Sequence, residues 1–248
     1  MSEWVAGRHA VFHLLSAGRR KALKLYLQKG AQESEKALTE LARKQRVPLQ
    51  VVESSFFVSR FGAGATHQGV AVEAEAYPYA DLEDLIAEPT LLILDEIQDP
   101  QNLGALCRSA YVLGVGGVVI PENRAASITS GTCQASVGAV EYLKVARFPS
   151  IAKALEILKK NEYWIYGADV AAPKSVFEED FAAKVALVIG NEEKGLRKLV
   201  RETCDFLVKI PAERHEIDSL NASVSGGILI SEILRQRLQK LKKTDRNY

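Results

Sequence analysis

The chain has no hydrophobic run long enough to cross a bilayer. Its longest apolar stretches, "LLIL" at 91–94 and "ALVIG" at 186–190, fall far short of the roughly 20 residues that a spanning helix needs. It has only three cysteines, Cys107, Cys133 and Cys204, widely separated and with no C-x-x-C pair. That argues against a disulfide framework or a thiolate zinc site, and leaves three reduced thiols and no metal. The four histidines, His9, His13, His67 and His215, are not paired at metal-ligand spacing. Also missing are the G-x-x-x-x-G-K-[ST] phosphate loop and the G-x-S-x-G nucleophile elbow. The nearest match to a dinucleotide fingerprint, "GVGGVV" at 114–119, follows a helix and enters a strand, which is the wrong order. No internal repeat or low-complexity segment is present. The start, "MSEWVAGRHAVFHLL", has an early acid and no cleavable signal pattern, so a cytoplasmic protein without a membrane partner is expected.

What is present is ordinary globular material: 47% hydrophobic and 25% charged residues over 248 positions, enough to bury a core in one large or two modest domains. The net charge of +1 conceals an asymmetry. Residues 1–30 hold six basic residues against one acid, and residues 235–248 do the same, so the body between is acidic. Basic ends are either solubilising faces or contacts to a polyanion.

The first 76 residues read as a small α/β domain. "GRHAVFHLLSAG" (7–18) has helical spacing, "ALKLYLQ" (22–28) alternates like a strand, and "SEKALTELARKQ" (34–45) is a helix with Ser34 as its cap. "VPLQVV" and "HQGVAVEAEA" are further strands. Residues 77–89, with two prolines and several acids, read as a linker. From residue 90 to 248 short apolar runs, "LLILD", "GVVI", "WIYGAD", "ALVIG" and "FLVKI", alternate with helical segments. That pattern implies a parallel sheet covered on both faces.

Ligands of open parallel sheets bind beyond the C-terminal ends of the strands. Three strand exits are polar, carry glycine and lead into helices: "EIQDPQNLGALCRSA" after "LLILD", "NEEKGLRKLV" after "ALVIG", and "PAERHEIDSLNASVSGG" after "FLVKI". Together they suggest one composite site. The last has more small polar groups than a helix cap requires.

These exits resemble, in order, the three motifs of the SpoU (TrmH-like) family of RNA 2′-O-ribose methyltransferases. "NLGALCR" resembles its N-x-G-x-x-x-R element, "LVIGNEEKGL" its strand followed by G-x-E-x-x-G, and "SLNAS" its S-L-N-x-S. "GRHAVFHLL" and "HQGVAVEAEAY" resemble the two ends of the family's leading RNA-binding module. The likeness covers almost the whole chain and is nearest to the bacterial branch that methylates a guanosine ribose in 23S rRNA.

The resemblance implies an α/β fold of the SPOUT type, a parallel sheet with a C-terminal trefoil knot, preceded by a small ribosomal-protein-L30e-like α/β domain. It implies S-adenosylmethionine as methyl donor, RNA as substrate and a homodimer formed through the C-terminal domain. Asn102, Arg108, Glu192, Ser219 and Asn221 are the implied catalytic set. Arg108 would stabilise the developing ribose alkoxide or clamp a phosphate, and Glu192 would orient Arg108 or an asparagine. Asn102 also reads as an ordinary N-cap. Gly190, Ile210, Ser219, Leu220 and Ser223 are the expected cofactor contacts, with Leu220 and Val224 facing core or cofactor. Arg8, Arg19, Arg20 and Lys21 are the expected phosphate contacts. Two alternatives stay open: the same chemistry on tRNA, and a catalytically silent RNA-binding or assembly protein. The segment "AERHEID" departs from the family pattern in charge and in lacking glycine, and "GNEEKG" in carrying Asn191 and Glu193.

Overall fold

A computed structural model describes residues 2–214 and 219–245, so part of the charged Glu213–Asp218 segment lies outside the described residues. In chain order the elements are β1 (Ser2–Ala6), α1 (Arg8–Ala17), β2 (Ala22–Gln28), α2 (Lys36–Lys44), β3 (Leu49–Val52), α3 (Ser54–Phe61), β4 (Val70–Glu75), β5 (Thr90–Asp95), α4 (Pro100–Val112), β6 (Gly117–Pro121), α5 (Ser130–Ala135), β7 (Lys144–Phe148), α6 (Ile151–Lys160), β8 (Trp164–Ala168), β9 (Lys174–Ser175), β10 (Val185–Gly190), α7 (Lys198–Thr203), β11 (Phe206–Lys209) and α8 (Ala222–Asp245). No described helix is long and apolar enough to cross a membrane.

The chain forms two compact units. The first comprises residues 1–78 and 127–142, the second 79–126 and 143–248. The division expected from sequence, 1–76, 77–89 and 90–248, put 127–142 in the second domain. Buried polar contacts hold this excursion in the first unit. Arg20 donates to Glu141 through Nε (3.2 Å) and Nη2 (2.5 Å), the Ala6 N–H donates to Ser130 Oγ (3.0 Å), and Gln134 returns a bond to the Ala6 carbonyl (2.9 Å). Such pairings between residues more than a hundred positions apart leave no periodic trace in the sequence.

In the first unit the strand order is β1-β4-β2-β3, with β2 and β3 parallel and the other pairs antiparallel. Register places Val5, Val72 and Leu25 on one face and Ala6, Ala71 and Tyr26 on the other. α1 and α2 pack together, and α1 also meets β1 and β4. The second face is filled by Phe57 of α3, with Trp4, Phe56 and Phe61 around it. The α2 cap differs from expectation: Glu35 precedes the helix, while Ser34 Oγ donates to the Ala31 carbonyl.

The second unit is a seven-stranded sheet in the order β7-β6-β5-β10-β8-β11-β9, every pairing parallel. All six residues of β5 and of β10 are buried, as continuous apolar runs predict for strands covered on both faces. One face packs Leu91, Ile93, Val119, Ile165 and Val188 against Leu155 and Leu158 of α6. The expected linker contributes to this same core. Leu82 and Leu85 lie in a 3-10 turn capped by Asp81 and Asp84, and both are buried. α4 and α8 pack against each other, α4 meeting β6 and α8 meeting β10. Gly226 lets α8 approach α4, since a Cβ there would overlap the buried Leu106 side chain.

Candidate active site

β5 and β10 are neighbours, with Asp95 paired to Gly190 at their C-terminal ends. From β5 the chain runs to β6 and β7 on one side, while β10 and β8 lie on the other. The strand order therefore reverses beside β5, the kind of switch point beyond which ligands of open parallel sheets bind. The exits of β5 and β10 and the start of α8 meet there.

α4 begins at Asp99, whose carboxylate accepts the Gln101 N–H at 2.9 Å, with Pro100 at the first helical position. Asp99 is thus the cap, and Asn102 sits in the first turn; its reading as an N-cap is corrected. Its amide bridges two other segments. Asn102 Nδ2 donates to Glu192 Oε1 at 2.9 Å, and Asn102 Oδ1 accepts from Asn221 Nδ2 at 3.0 Å. Glu192 is acceptor-only when ionised, so this chain of bonds has one consistent direction: Asn221 to Asn102 to Glu192.

Asn221 has a second task. It stands just before α8, and its Oδ1 accepts the N–H groups of Ser223 (2.9 Å) and Val224 (3.4 Å) and the Ser223 hydroxyl (2.6 Å). One amide oxygen caps the helix while the amide nitrogen joins the site. Ser219 and Leu220 are exposed, and Leu220 and Val224 are each 50% accessible. Of the two surroundings expected for Leu220 and Val224, core or cofactor, the core is ruled out, since both are open to solvent. Ile210 is half-buried beyond β11.

Gly190 ends β10 in full burial. A Cβ there would overlap the backbone of Gly195 and Leu196, so only glycine lets the following hairpin fold back. In that hairpin Glu192 reaches Asn102, whereas Glu193 is exposed and its backbone N–H donates to Asn191 Oδ1.

Arg108 lies six residues along α4 from Asn102, about 240° around the helix. It is exposed and has no hydrogen-bond or ion-pair partner among the described residues. The structure does not bring it to Glu192, whose observed partner is the asparagine.

The basic N-terminal residues divide. Arg20 is 5% accessible and holds Glu141 and Glu3, so its expected role as a phosphate contact is corrected. Arg8 is half-exposed and pairs with buried Glu35. Arg19 donates to Tyr77 Oη and to the Pro78 carbonyl, and Lys21 is exposed. The three thiols are free. Burial pushes Cys107 and Cys204 up to about 12 and raises Cys133 further, which suits inert packing rather than chemistry. No metal-binding cluster occurs among the described residues.

Sequence reasoning missed Asp95 and Arg197. Asp95 is fully buried, and Arg197 donates to it from Nε at 2.7 Å and from its backbone N–H at 2.9 Å. A signal was available: "LLILD" ends an otherwise apolar buried strand on a carboxylate, which demands a partner.

Residues 89–231 match the SpoU rRNA Methylase family, and residues 4–80 match the RNA 2′-O ribose methyltransferase substrate-binding family. The chain is 39% identical over 243 residues to the Bacillus subtilis protein YacO, of the TrmH family of tRNA/rRNA methyltransferases; the match covers 95% of this chain and 96% of YacO. Its fold resembles the SpoU methyltransferase AviRb from Streptomyces viridochromogenes in complex with AdoMet, with a TM-score of 0.84, 25% identity and coverage of 96% and 91%. It also resembles an AdoMet-bound rRNA methyltransferase from Sinorhizobium meliloti, with a TM-score of 0.78, 23% identity and coverage of 96% and 88%.

Proposed function

Since the chain belongs to the SpoU rRNA Methylase family, we propose that it transfers a methyl group from S-adenosylmethionine to a ribose 2′-oxygen of RNA, with a guanosine of 23S rRNA as the acceptor. The observation that carries this is the Asn221–Asn102–Glu192 chain, in which one residue from each of the three polar exits joins a single hydrogen-bonded unit.

The residues present suit the cofactor. Half-buried Ile210 and half-exposed Leu220 offer apolar surface to a purine, with the hydroxyls of Ser219 and Ser223 beside it in sequence. Gly190 admits close backbone packing at the end of β10. When bound, S-adenosylmethionine supplies an electrophilic methyl on a cationic sulfur.

The protein's own contribution is orientation and charge. Asn102 and Asn221 fix each other's amides, and Glu192 fixes Asn102, so the wall of the site is preorganised. Arg108 remains a cation, because a guanidinium does not give up its proton in proteins. It meets the acceptor ribose or its phosphate and stabilises the 2′-oxygen as negative charge develops there. The 2′ proton would leave to solvent as the oxygen–methyl bond forms and the methyl–sulfur bond breaks, the electron pair staying on the sulfur of S-adenosylhomocysteine as the leaving group.

RNA is held by the N-terminal unit, with Arg8, Arg19 and Lys21 as phosphate contacts. We assign that unit an L30e-like fold and the C-terminal segment a trefoil knot. We further propose a cytoplasmic homodimer, for which exposed Val112, Val224, Leu238 and Leu241 of α4 and α8 offer apolar surface. Mass mapping of ribose methylation in rRNA and tRNA, with and without this protein in the cell, tests the reading. A missing 2′-O-methyl group in 23S rRNA is expected. Loss confined to tRNA would move the substrate. No loss, together with failure to bind S-adenosylmethionine at millimolar concentration, would leave a binding protein only.

A further inference from the structure

The loop between β10 and α7 carries Glu192, and both of its ends are tied to the exit of β5. At its start, Asn191 Nδ2 donates to the Glu96 carbonyl at 2.9 Å. Asn191 and Gly195 exchange two backbone hydrogen bonds, of 3.0 and 2.9 Å, which close the turn. At its end, Arg197 gives Asp95 two hydrogen bonds, from the backbone N–H to Oδ2 (2.9 Å) and from Nε to Oδ1 (2.7 Å), with Nη2 in ion-pair contact with Oδ1 at 2.5 Å. Its remaining nitrogen, Nη1, lies 3.1 Å from Glu96 Oε1. Glu96 thus receives a contact from each end of the loop, and it holds a φ of +61°, uncommon for a residue other than glycine.

These contacts are selective. Asp95 is fully buried, and a carboxylate there requires both charge and hydrogen bonds from its partner. The guanidinium spreads its charge over a rigid plane, so Nε and Nη2 meet Asp95 while Nη1 faces Glu96; an ammonium supplies a point charge. No Cβ fits at Gly190, because the Gly195–Leu196 backbone of the loop packs directly on the end of the strand. Glu192 follows Asn191 directly and accepts from Asn102.

We infer that Arg197 is a positioning residue for methyl transfer: by clamping the 191–197 loop to Asp95 and Glu96, it holds Glu192 at hydrogen-bond distance from Asn102. It touches none of the reacting atoms. The inference rests on the proposed role of Glu192, and a misplacement of about 1 Å in such a site costs on the order of 10²-fold in rate.

The test uses the full-length protein with its RNA and reads loop protection as well as turnover. In Arg197→Ala, amide hydrogen exchange of the 190–197 segment should rise while the rest of the sheet keeps its protection. Turnover should fall about 10²-fold, with KM for RNA within about twofold. Arg197→Lys should fall between Arg197→Ala and wild type. The Asp95→Asn/Arg197→Gln pair removes the fully buried Asp95 charge together with its partner, which keeps the fold, and should show the same loop exposure and rate loss; Glu96 alone loses its cation. In a Glu192→Gln background, Arg197→Ala should change turnover by less than about threefold, since a residue acting through Glu192 adds nothing once Glu192 is disabled. Unchanged exchange in the loop, or rate losses that multiply, would overturn the clamp while leaving the methyltransferase reading intact. A Glu192→Gln enzyme at wild-type rate removes the role of Glu192 and the inference with it, even if the loop loosens. A wild-type protein that methylates no ribose refutes the function before any variant is made, and the positioning role falls with it.

Discussion

Each compact unit contains one arginine that holds two carboxylates, and the two networks differ in what water can reach. Arg20 is enclosed. Its side chain is 2% accessible and that of Glu141 is 1%, with only Glu3, at 41%, reaching the surface. Arg197 is 43% accessible, although its main partner Asp95 is fully buried. The first network fastens residues 127–142 to the N-terminal unit, 121 positions from Arg20. The second fastens a seven-residue loop to a neighbouring strand end. A sealed ion pair serves architecture, since breaking it strands a charge. A half-open pair at a strand exit can hold a loop in place and still leave room for a ligand beside it.

Replacing Arg20 with alanine should have the largest effect. It leaves Glu141 charged and buried, and such losses run to ~3–5 kcal/mol. Urea unfolding should show that drop. A loss under about 1 kcal/mol would mean the network is not sealed. Arg108→Ala inverts the pattern. This exposed side chain has no partner among the described residues, so stability should stay within about 0.5 kcal/mol. Turnover should fall by about 10³-fold, ~4 kcal/mol of transition-state stabilisation, while calorimetry shows S-adenosylmethionine binding retained. A variant near the wild-type rate would strip Arg108 of its role.

A smaller effect is expected from Gly226→Val. The added carbons must displace Leu106, which is itself fully buried, and overpacking of this kind costs ~1–3 kcal/mol. The loss should appear in the melting temperature. The smallest effect sharpens the contrast between open and closed pairs. Burial works to raise the Asp169 carboxyl, but the Arg201 guanidinium at 2.5 Å and the Ala171 N–H outweigh it and hold it below the usual range. A depressed folded pKa stabilises above the unfolded value, about 3.9, and that stabilisation is lost as pH falls through the folded one. The difference in melting temperature between wild type and Asp169→Asn should therefore be present at pH 6 and shrink steadily as pH falls below the unfolded value. A constant difference across that range would show that the pair is not electrostatic.

Much of the site was legible before any coordinates. The apolar runs marked β5, β6, β8, β10 and β11, and in β5, β6 and β10, buried at every residue, coverage on both faces leaves no alternation to misread. The polar strand exits marked three segments, and the likeness of those segments to the SpoU motifs singled out Asn102, Glu192 and Asn221 within them. Less was visible where local signals are weak. α3, at eight residues, lacks a side-chain cap, and α5, at six, is too short for a helical period to register. The basic start of the chain misled for a related reason. Arg20 reads as surface charge until Glu141, far along the chain, folds against it.

The sequence by itself determined strands β2 to β6, β8, β10 and β11 and where their polar exits lie, since periodicity and side-chain chemistry are local properties; it did not mark β1, β7 or β9. Only the tertiary structure decided which residues touch. It paired Glu192 with Asn102 rather than Arg108, turned Arg20 inward, and set Arg197 on Asp95. Buried charges choose partners by three-dimensional proximity and fixed hydrogen-bond geometry, and neither is written in the spacing along a chain.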